Sequence, residues 1–379
     1  MSLSERVPYS RWKLARWVIS TATLNVPQAG GPIAFSLVAL ALMHDTRGGA
    51  AMMLAMTLAQ VAGAVPLARL ARRLPVATCL RLLIGFRTLA LLGIAFAAWR
   101  EASFVWLIVL AAVAGSVNGA AHGFLRAVLN HLAAASQLPR ALGIAATLNE
   151  LTFVLAPVAA SGLGSISPVI AVLVLALLGA LPALLVPDVG SIHGDGVRHG
   201  EGRLLSRAIA VWLLCALAGG ATVASIEIGS VALALHFGHE PALAILFTVP
   251  LCLSSVAGGI WTSVRNRRAS RPIVLAQLCV MALGSALVAL SISLTTTIIG
   301  AVLIGCVLAP LSTYYSLTLD TLAPPQRRPE IFALLRTANA SGVIVASGVL
   351  TVTPLPLALV VITALMTMAA LTVALHRRP

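Results

Sequence analysis

Residues 144–157 read IAATLNELTFVLAP, and between Arg140 and Asp188 the one formally charged residue is Glu150. A chain that avoids charge over so long a tract needs a reason to hold a carboxylate there. Composition supplies the setting. The 379 residues are 59% hydrophobic and 9% charged, with a mean hydropathy of +1.01. A soluble domain carries about 25% charged residues. A soluble chain of this length would split into about two or three domains, each needing a polar surface. The residues for such surfaces are missing, so the pattern describes an all-α integral membrane protein whose solvent is the lipid bilayer.

A spanning helix needs about 20 mostly apolar residues. The apolar runs place spans at 17–42, 48–69, 76–99, 103–126, 139–163, 167–186, 207–236, 240–263, 272–293, 296–319, 329–352 and 355–375. That is twelve transmembrane helices. The formal net charge is +14. It does not gather on one face or tail as a nucleic-acid surface would, which argues against a nucleic-acid partner. It recurs in short clusters on alternate loops: Arg69, Arg72 and Arg73; Arg140; Arg198, Arg203 and Arg207; Arg265, Arg267, Arg268 and Arg271; Arg327 and Arg328. The opposite loops hold Arg47 and Arg100, each beside an acid. The positive-inside bias puts the first set in the cytoplasm, and with it both termini. The five cysteines lie in apolar segments without metal-ligand spacing and read as small buried hydrophobes.

The longest hydrophilic stretch, PDVGSIHGDGVRHGEGRLLSRA at 187–208, reads as a linker between two six-helix bundles. The expected division is 1–186, a cytoplasmic linker at 187–206, and 207–379. A faint repeat supports it. Leu132-Ala133, Pro139, Thr147 and Asn149 recur as Leu322-Ala323, Pro329, Thr337 and Asn339, about 190 residues on. Parallel six-span repeats are one architecture of secondary transporters.

Three segments carry a family resemblance: PLARLARRLPVATCLR at 66–81, TLNELTFVLAPVAASGLG at 147–164 and APLSTYYSLTLDTLAPPQRRPEIFALLRTANASG at 309–342. On these the chain resembles the major facilitator superfamily (MFS) over essentially its full length, and in particular its actinobacterial drug- and metabolite-efflux members. The resemblance implies an MFS fold in a bacterial inner or plasma membrane. It also implies that spans one, four, seven and ten line a central cavity. The family's loop after span two usually carries an Asp before paired basic residues. Here Arg72-Arg73 keep the pair, and Arg69 stands where the Asp would be. The Gly-Pro pair usual in span five of antiporters is Ala156-Pro157.

An ionisable group in hydrocarbon is costly and persists where it faces protein or a cavity. Glu150 in span five and Glu227 in span seven, within ATVASIEIGS, are therefore candidates for proton coupling or substrate contact. In span four, Asn118, His122 and Arg126 fall at i, i+4 and i+8 and share a face. Span one offers Asn25 and Gln28 beside Pro27, Gly30, Gly31 and Pro32, either as a broken cavity helix or as a packing kink. Span ten offers Tyr314 and Tyr315, which suit an amphipathic organic ligand. Arg72, Arg73, Asp320 and Arg336 read as gating or ion-pairing groups near the cytoplasmic ends. Arg87 in span three reads as structural, snorkelling or paired with an acid. His236 and His239 lack further ligands for a metal, and no motif calls for a cofactor.

These residues describe a monomeric secondary transporter that couples export of a small organic molecule to protons. Uptake by symport or uniport, for instance of a sugar, is the rival within transport, and a membrane sensor or scaffold the rival outside it. An enzyme would need a nucleophile, acid/base or metal constellation, and the motifs for one are not found.

Overall fold

In the computed structural model, residues 11–43, 47–71, 75–186, 206–238, 243, 245–267, 269–324 and 327–375 are described. Among them run thirteen α-helices. The first seven are α1 (Arg11–Met43), α2 (Arg47–Ala71), α3 (Val76–Trp99), α4 (Phe104–Ser116), α5 (Asn118–Leu132), α6 (Leu138–Ile166) and α7 (Pro168–Leu185). The remaining six are α8 (Arg207–His236), α9 (Ile245–Arg265), α10 (Arg271–Leu290), α11 (Leu294–Leu322), α12 (Arg328–Val352) and α13 (Leu355–Leu375). Val117, between α4 and α5, keeps right-handed helical dihedrals of −87° and −14°. The two helices thus form one span, Phe104–Leu132, and the described residues hold twelve helices long and apolar enough to cross a membrane. The all-α, twelve-span expectation is met. Of the expected linker, 187–205 lie outside the described residues, and Ser206 caps α8 by accepting a 3.2 Å bond from the Ile209 amide.

The helices fall into two compact units. The first comprises Met1–Ala141, Leu151–Gly196 and Arg328–Ala333. The second comprises Leu142–Glu150, Val197–Arg327 and Leu334–Pro379. Sequence composition places a boundary in the hydrophilic stretch but misses that α6 and α12 each change unit along their length. Glu150 thereby belongs with the second unit, and Glu330 with the first.

In the first unit α1 packs on α7, α2 on α4, and α3 on α7 and α4. In the second, α8 packs on α13, α9 on α11, and α10 on α13 and α11. The pairing scheme is the same. Its closest points use glycine, because lipid offers no hydrophobic drive between helices and small residues permit the backbone contact that replaces it. A side chain at Gly115 would strike the Met56 carbonyl, and one at Gly63 the Ser116 carbonyl. In the second unit Gly305 meets the Leu251 carbonyl and Gly258 the Cys306 carbonyl. Gly115 and Ser116 are related to Gly305 and Cys306 by the same offset of 190 residues that relates Thr147 to Thr337. The internal repeat is thus built into the tightest contacts of both units.

Overpacking such a contact costs about 1–3 kcal/mol or more. Gly115→Leu and Gly305→Leu should each lower the thermal midpoint in detergent by several degrees. Gly162→Leu should leave it unchanged, since nothing lies within 4 Å of a Cβ there. Fluorescence-detected unfolding of the three variants measures the difference.

Candidate functional site

The polar residues of the first unit meet in one network. Arg87 of α3 is 1% exposed. Its Nη1 donates to the Leu24 carbonyl at 2.8 Å and to Asn118 Oδ1 at 3.2 Å, and its Nη2 donates to the Gly179 carbonyl at 2.5 Å. The broken-helix reading of span one is not met: α1 runs as one helix through Pro27 and Pro32. A side chain at Gly179 would strike Pro27 Cγ and Arg87 Nη2, at 2.5 and 3.0 Å, so only glycine admits both. The structural reading of Arg87 therefore holds among the described contacts, with carbonyls and an amide as partners.

Asn118 extends the network by donating through Nδ2 to Gln28 Oε1 at 3.2 Å and to Gln60 Oε1 at 2.9 Å. His122 lies one turn on. Its Nδ1 is 2.9 Å from the Asn118 carbonyl and its Nε2 is 2.7 Å from Asn25 Oδ1. Both ring nitrogens thus face oxygen. A neutral imidazole donates to one such acceptor, an imidazolium to both. Asn118 and His122, which the helical spacing places on one face, are joined by Asn25 and Gln28 of α1, which the sequence reading had treated separately. Arg126 departs from the group: its Nη1 donates to Asn130 Oδ1 at 2.9 Å, and its guanidinium stacks 4.5 Å from the Phe332 ring centroid. Gln60 of α2 and the Gly179 carbonyl are members that the sequence reading missed. A lone Gln in an apolar run is the signal that could have found the first.

The second unit gathers the carboxylates. Glu150 of α6 and Glu227 of α8 lie within electrostatic range of one another, and the Ser255 hydroxyl of α9 stands beside Glu150. Cys252 of α9 faces both acids. Glu227 is solvent-exposed although it sits two-thirds of the way along a 30-residue apolar helix. The carboxylates were singled out separately in the sequence; the fold makes them a pair. Tyr314 and Tyr315 of α11 pack on Trp212 of α8, with ring centroids 5.1 and 6.0 Å away. Trp212 is a member that the sequence reading did not name. Asp320 is buried on α11 and Arg336 half-buried on α12.

Near the arginine-rich ends, Arg69 donates through Nε to Glu330 Oε2 at 3.4 Å, with the Glu330 side chain 2% exposed and that of Arg69 57% exposed. Both belong to the first unit. Glu330 lies in the first turn of α12, where the helix dipole favours an anion. Arg69, standing where the family's loop usually carries an Asp, has an acid as its partner. Arg72, Arg73 and His239 lie outside the described residues. Among the described residues there is no group of three or more His, Cys, Asp or Glu placed to hold a metal ion.

Twelve apolar helices in two similarly packed units, with amides, carboxylates and aromatics held inside them, define a multi-pass membrane protein built as a transporter rather than an enzyme. The family description Major Facilitator Superfamily matches residues 28–347, and the chain belongs to that superfamily. Among solved structures, it is similar to a bacterial homologue of the iron transporter ferroportin in an outward-facing state, at 14% identity and TM-score 0.80, covering 96% of this chain and 98% of that one. It is also similar to the E. coli fucose:proton symporter, at 12% identity and TM-score 0.76, covering 97% and 98%. A third is the human organic anion transporter MFSD10, at 14% identity and TM-score 0.70, covering 96% and 97%. No curated protein sequence matches the chain. These identities speak to the fold alone.

Hydrogen bonds to a charged group are worth about 1.5–3 kcal/mol each. Arg87→Leu removes all three of these bonds and takes the guanidinium donor from the buried Asn118 amide oxygen. It should lower the thermal midpoint more than any single change at Gln28 or Gln60. Arg87→Lys should recover little, because an ammonium lacks the planar fork that reaches three oxygens at once. Unfolding scans of the four variants check the order.

Proposed function

We propose that the chain exports a small organic molecule in exchange for protons, as a monomer in a bacterial cell membrane with both termini in the cytoplasm. Transport would follow alternating access, with the substrate site open to one side of the membrane at a time. The observation that carries this reading is the Glu150–Glu227 pair, with Glu227 exposed in the middle of an apolar span. Two carboxylates close together in a low-dielectric setting resist being charged at once, so one of them readily holds a proton. A substrate that enters beside Glu227 competes with that proton. Linkage makes the competition reciprocal: protonation weakens substrate binding by the factor by which substrate weakens protonation.

The remaining polar residues take supporting roles. Trp212, Tyr314 and Tyr315 supply ring contact and hydroxyls for an amphipathic molecule. Asn25, Gln28, Asn118 and His122 supply directional hydrogen bonds on the first unit, with Arg87 holding them in place. Arg69 and Glu330 act as a gate, together with Arg72, Arg73, Asp320 and Arg336. Arg126 belongs with the Phe332 contact of this gate more than with substrate.

The test uses protein reconstituted in liposomes that contain a pH-sensitive dye, with no gradient imposed, and a panel of drugs, sugars and amphipathic metabolites. The reading predicts a substrate-evoked proton movement that is abolished in Glu227→Gln and weakened in Glu150→Gln. Substrate flux at the wild-type rate in both variants, without a proton signal in the wild type, would sink it.

A further inference from the structure

A cleft of about 120 Å³ at the arginine-rich end of the second unit is lined by residues of α9, α10 and α11 and of the turn between α9 and α10. Drug-sized ligands occupy pockets of about 300–1,000 Å³. This one has room for a head group and no more. Its lining combines three features.

The first is cationic. Arg265 and Arg267 stand at the cleft, and no Asp or Glu is among its lining residues. Arg265 stacks 5.0 Å from the Trp261 ring centroid, and both residues line the cleft. The chain turns tightly here: Asn266 takes a left-handed φ of 44°, a conformation that Asn tolerates better than most residues.

The second is the start of α10, a 20-residue helix. Its N-cap, Ser270, lines the cleft and makes no side-chain capping bond. In its first turn Pro272 carries no N–H and the Val274 amide donates to the Ser270 carbonyl, which leaves the Arg271 and Ile273 amides without a partner inside the helix. Helix N-termini with such free amides are ready anion sites.

The third is a pair of orphaned polar atoms. Thr313 of α11 is 5% exposed, and its Oγ1 has no hydrogen-bond partner. Gln277 Oε1 of α10 is likewise buried without a partner. Both residues line the cleft. Buried polar atoms are otherwise almost always satisfied, and an unsatisfied one calls for a missing ligand atom. A hydroxyl-bearing head group answers both: the Thr313 hydroxyl donates to an oxygen, and Gln277 Oε1 accepts from an O–H.

The outer wall of the cleft decides what the anion is attached to. Trp261 lines it and is 48% exposed. On the adjoining face of α9, roughly 60–100° around the helix from Trp261, run Leu253, Ile260 and Val264, all exposed and apolar. A ligand seated by its head group would continue along this stripe as acyl chain. We propose that the cleft binds an anionic phospholipid. Its phosphate sits between Arg265, Arg267 and the N-terminus of α10, its head-group hydroxyls meet Thr313 and Gln277, and its chains lie on the apolar stripe of α9.

The test uses full-length protein, stripped of lipid in detergent, and native mass spectrometry with added phosphatidylglycerol, phosphatidylcholine or inorganic phosphate. Each arginine near an anionic lipid surface is worth about a fivefold change in affinity. The wild type should retain one phosphatidylglycerol more tightly than phosphatidylcholine. Arg267→Gln should weaken it about fivefold, and Arg265→Gln with Arg267→Gln further. Thr313→Val, nearly isosteric, should weaken it without altering the unfolding midpoint of the lipid-free protein. Arg267 is exposed, so its variant tests the proposal even where changes deeper in the cleft disturb folding. Equal retention of phosphatidylglycerol by the wild type and the Arg267→Gln variant would overturn the proposal. Displacement of the lipid by millimolar inorganic phosphate would also overturn it, showing a site for a free anion.

Discussion

A guanidinium in hydrocarbon must find oxygen inside the protein, and the answer to that demand at Arg87 organises the first unit. Three acceptors come from three other helices: the Leu24 carbonyl of α1, the Asn118 amide of α5 and the Gly179 carbonyl of α7. Bilayer lipid offers polar groups no alternative partner. Each of the four helices is therefore held at the depth and rotation that this bonding needs. Asn118, once oriented by Arg87, passes its own amide hydrogens to Gln28 and Gln60. The candidate binding residues of the unit inherit their positions from a buried cation that need not touch substrate.

The second unit solves the same packing problem with a different chemistry. Its helices pair in the same scheme, and its glycine contacts repeat those of the first unit. It holds Glu150 and Glu227 within electrostatic range of each other, with Ser255 and Cys252 close by. A cation ringed by three oxygens is locked. A pair of like charges has reason to change protonation. This contrast is the physical basis for giving the first unit positioning and the second unit coupling.

Much of this was legible in the sequence because it depends on local pattern. Apolar run lengths yield the spans, and the spacing of Asn118 and His122 places both at one site. What was not legible depends on pairs far apart in the chain. Nothing near Gln60 or Trp212 shows that one meets Asn118 and the other Tyr314. The partner of Arg69 lies 261 residues away, at Glu330. The repeat, faint in residue identity, is plain in the glycine contacts, because close approach constrains side-chain size at a few positions and leaves the rest free. Arg126 shows the limit of helical spacing: it shares a face with His122, yet a long side chain reaches another partner.

The central claim is that the charge systems within the spans of the two units differ in kind, one fixed and one titrating. Infrared difference spectroscopy on the reconstituted protein, stepped in pH, reads the carboxylic C=O stretch directly and needs no substrate. The account predicts a carboxylic band that appears on acidification and is lost in Glu227→Gln. Carboxylates that stay ionised, with no such band at any pH where the protein remains folded, would contradict it.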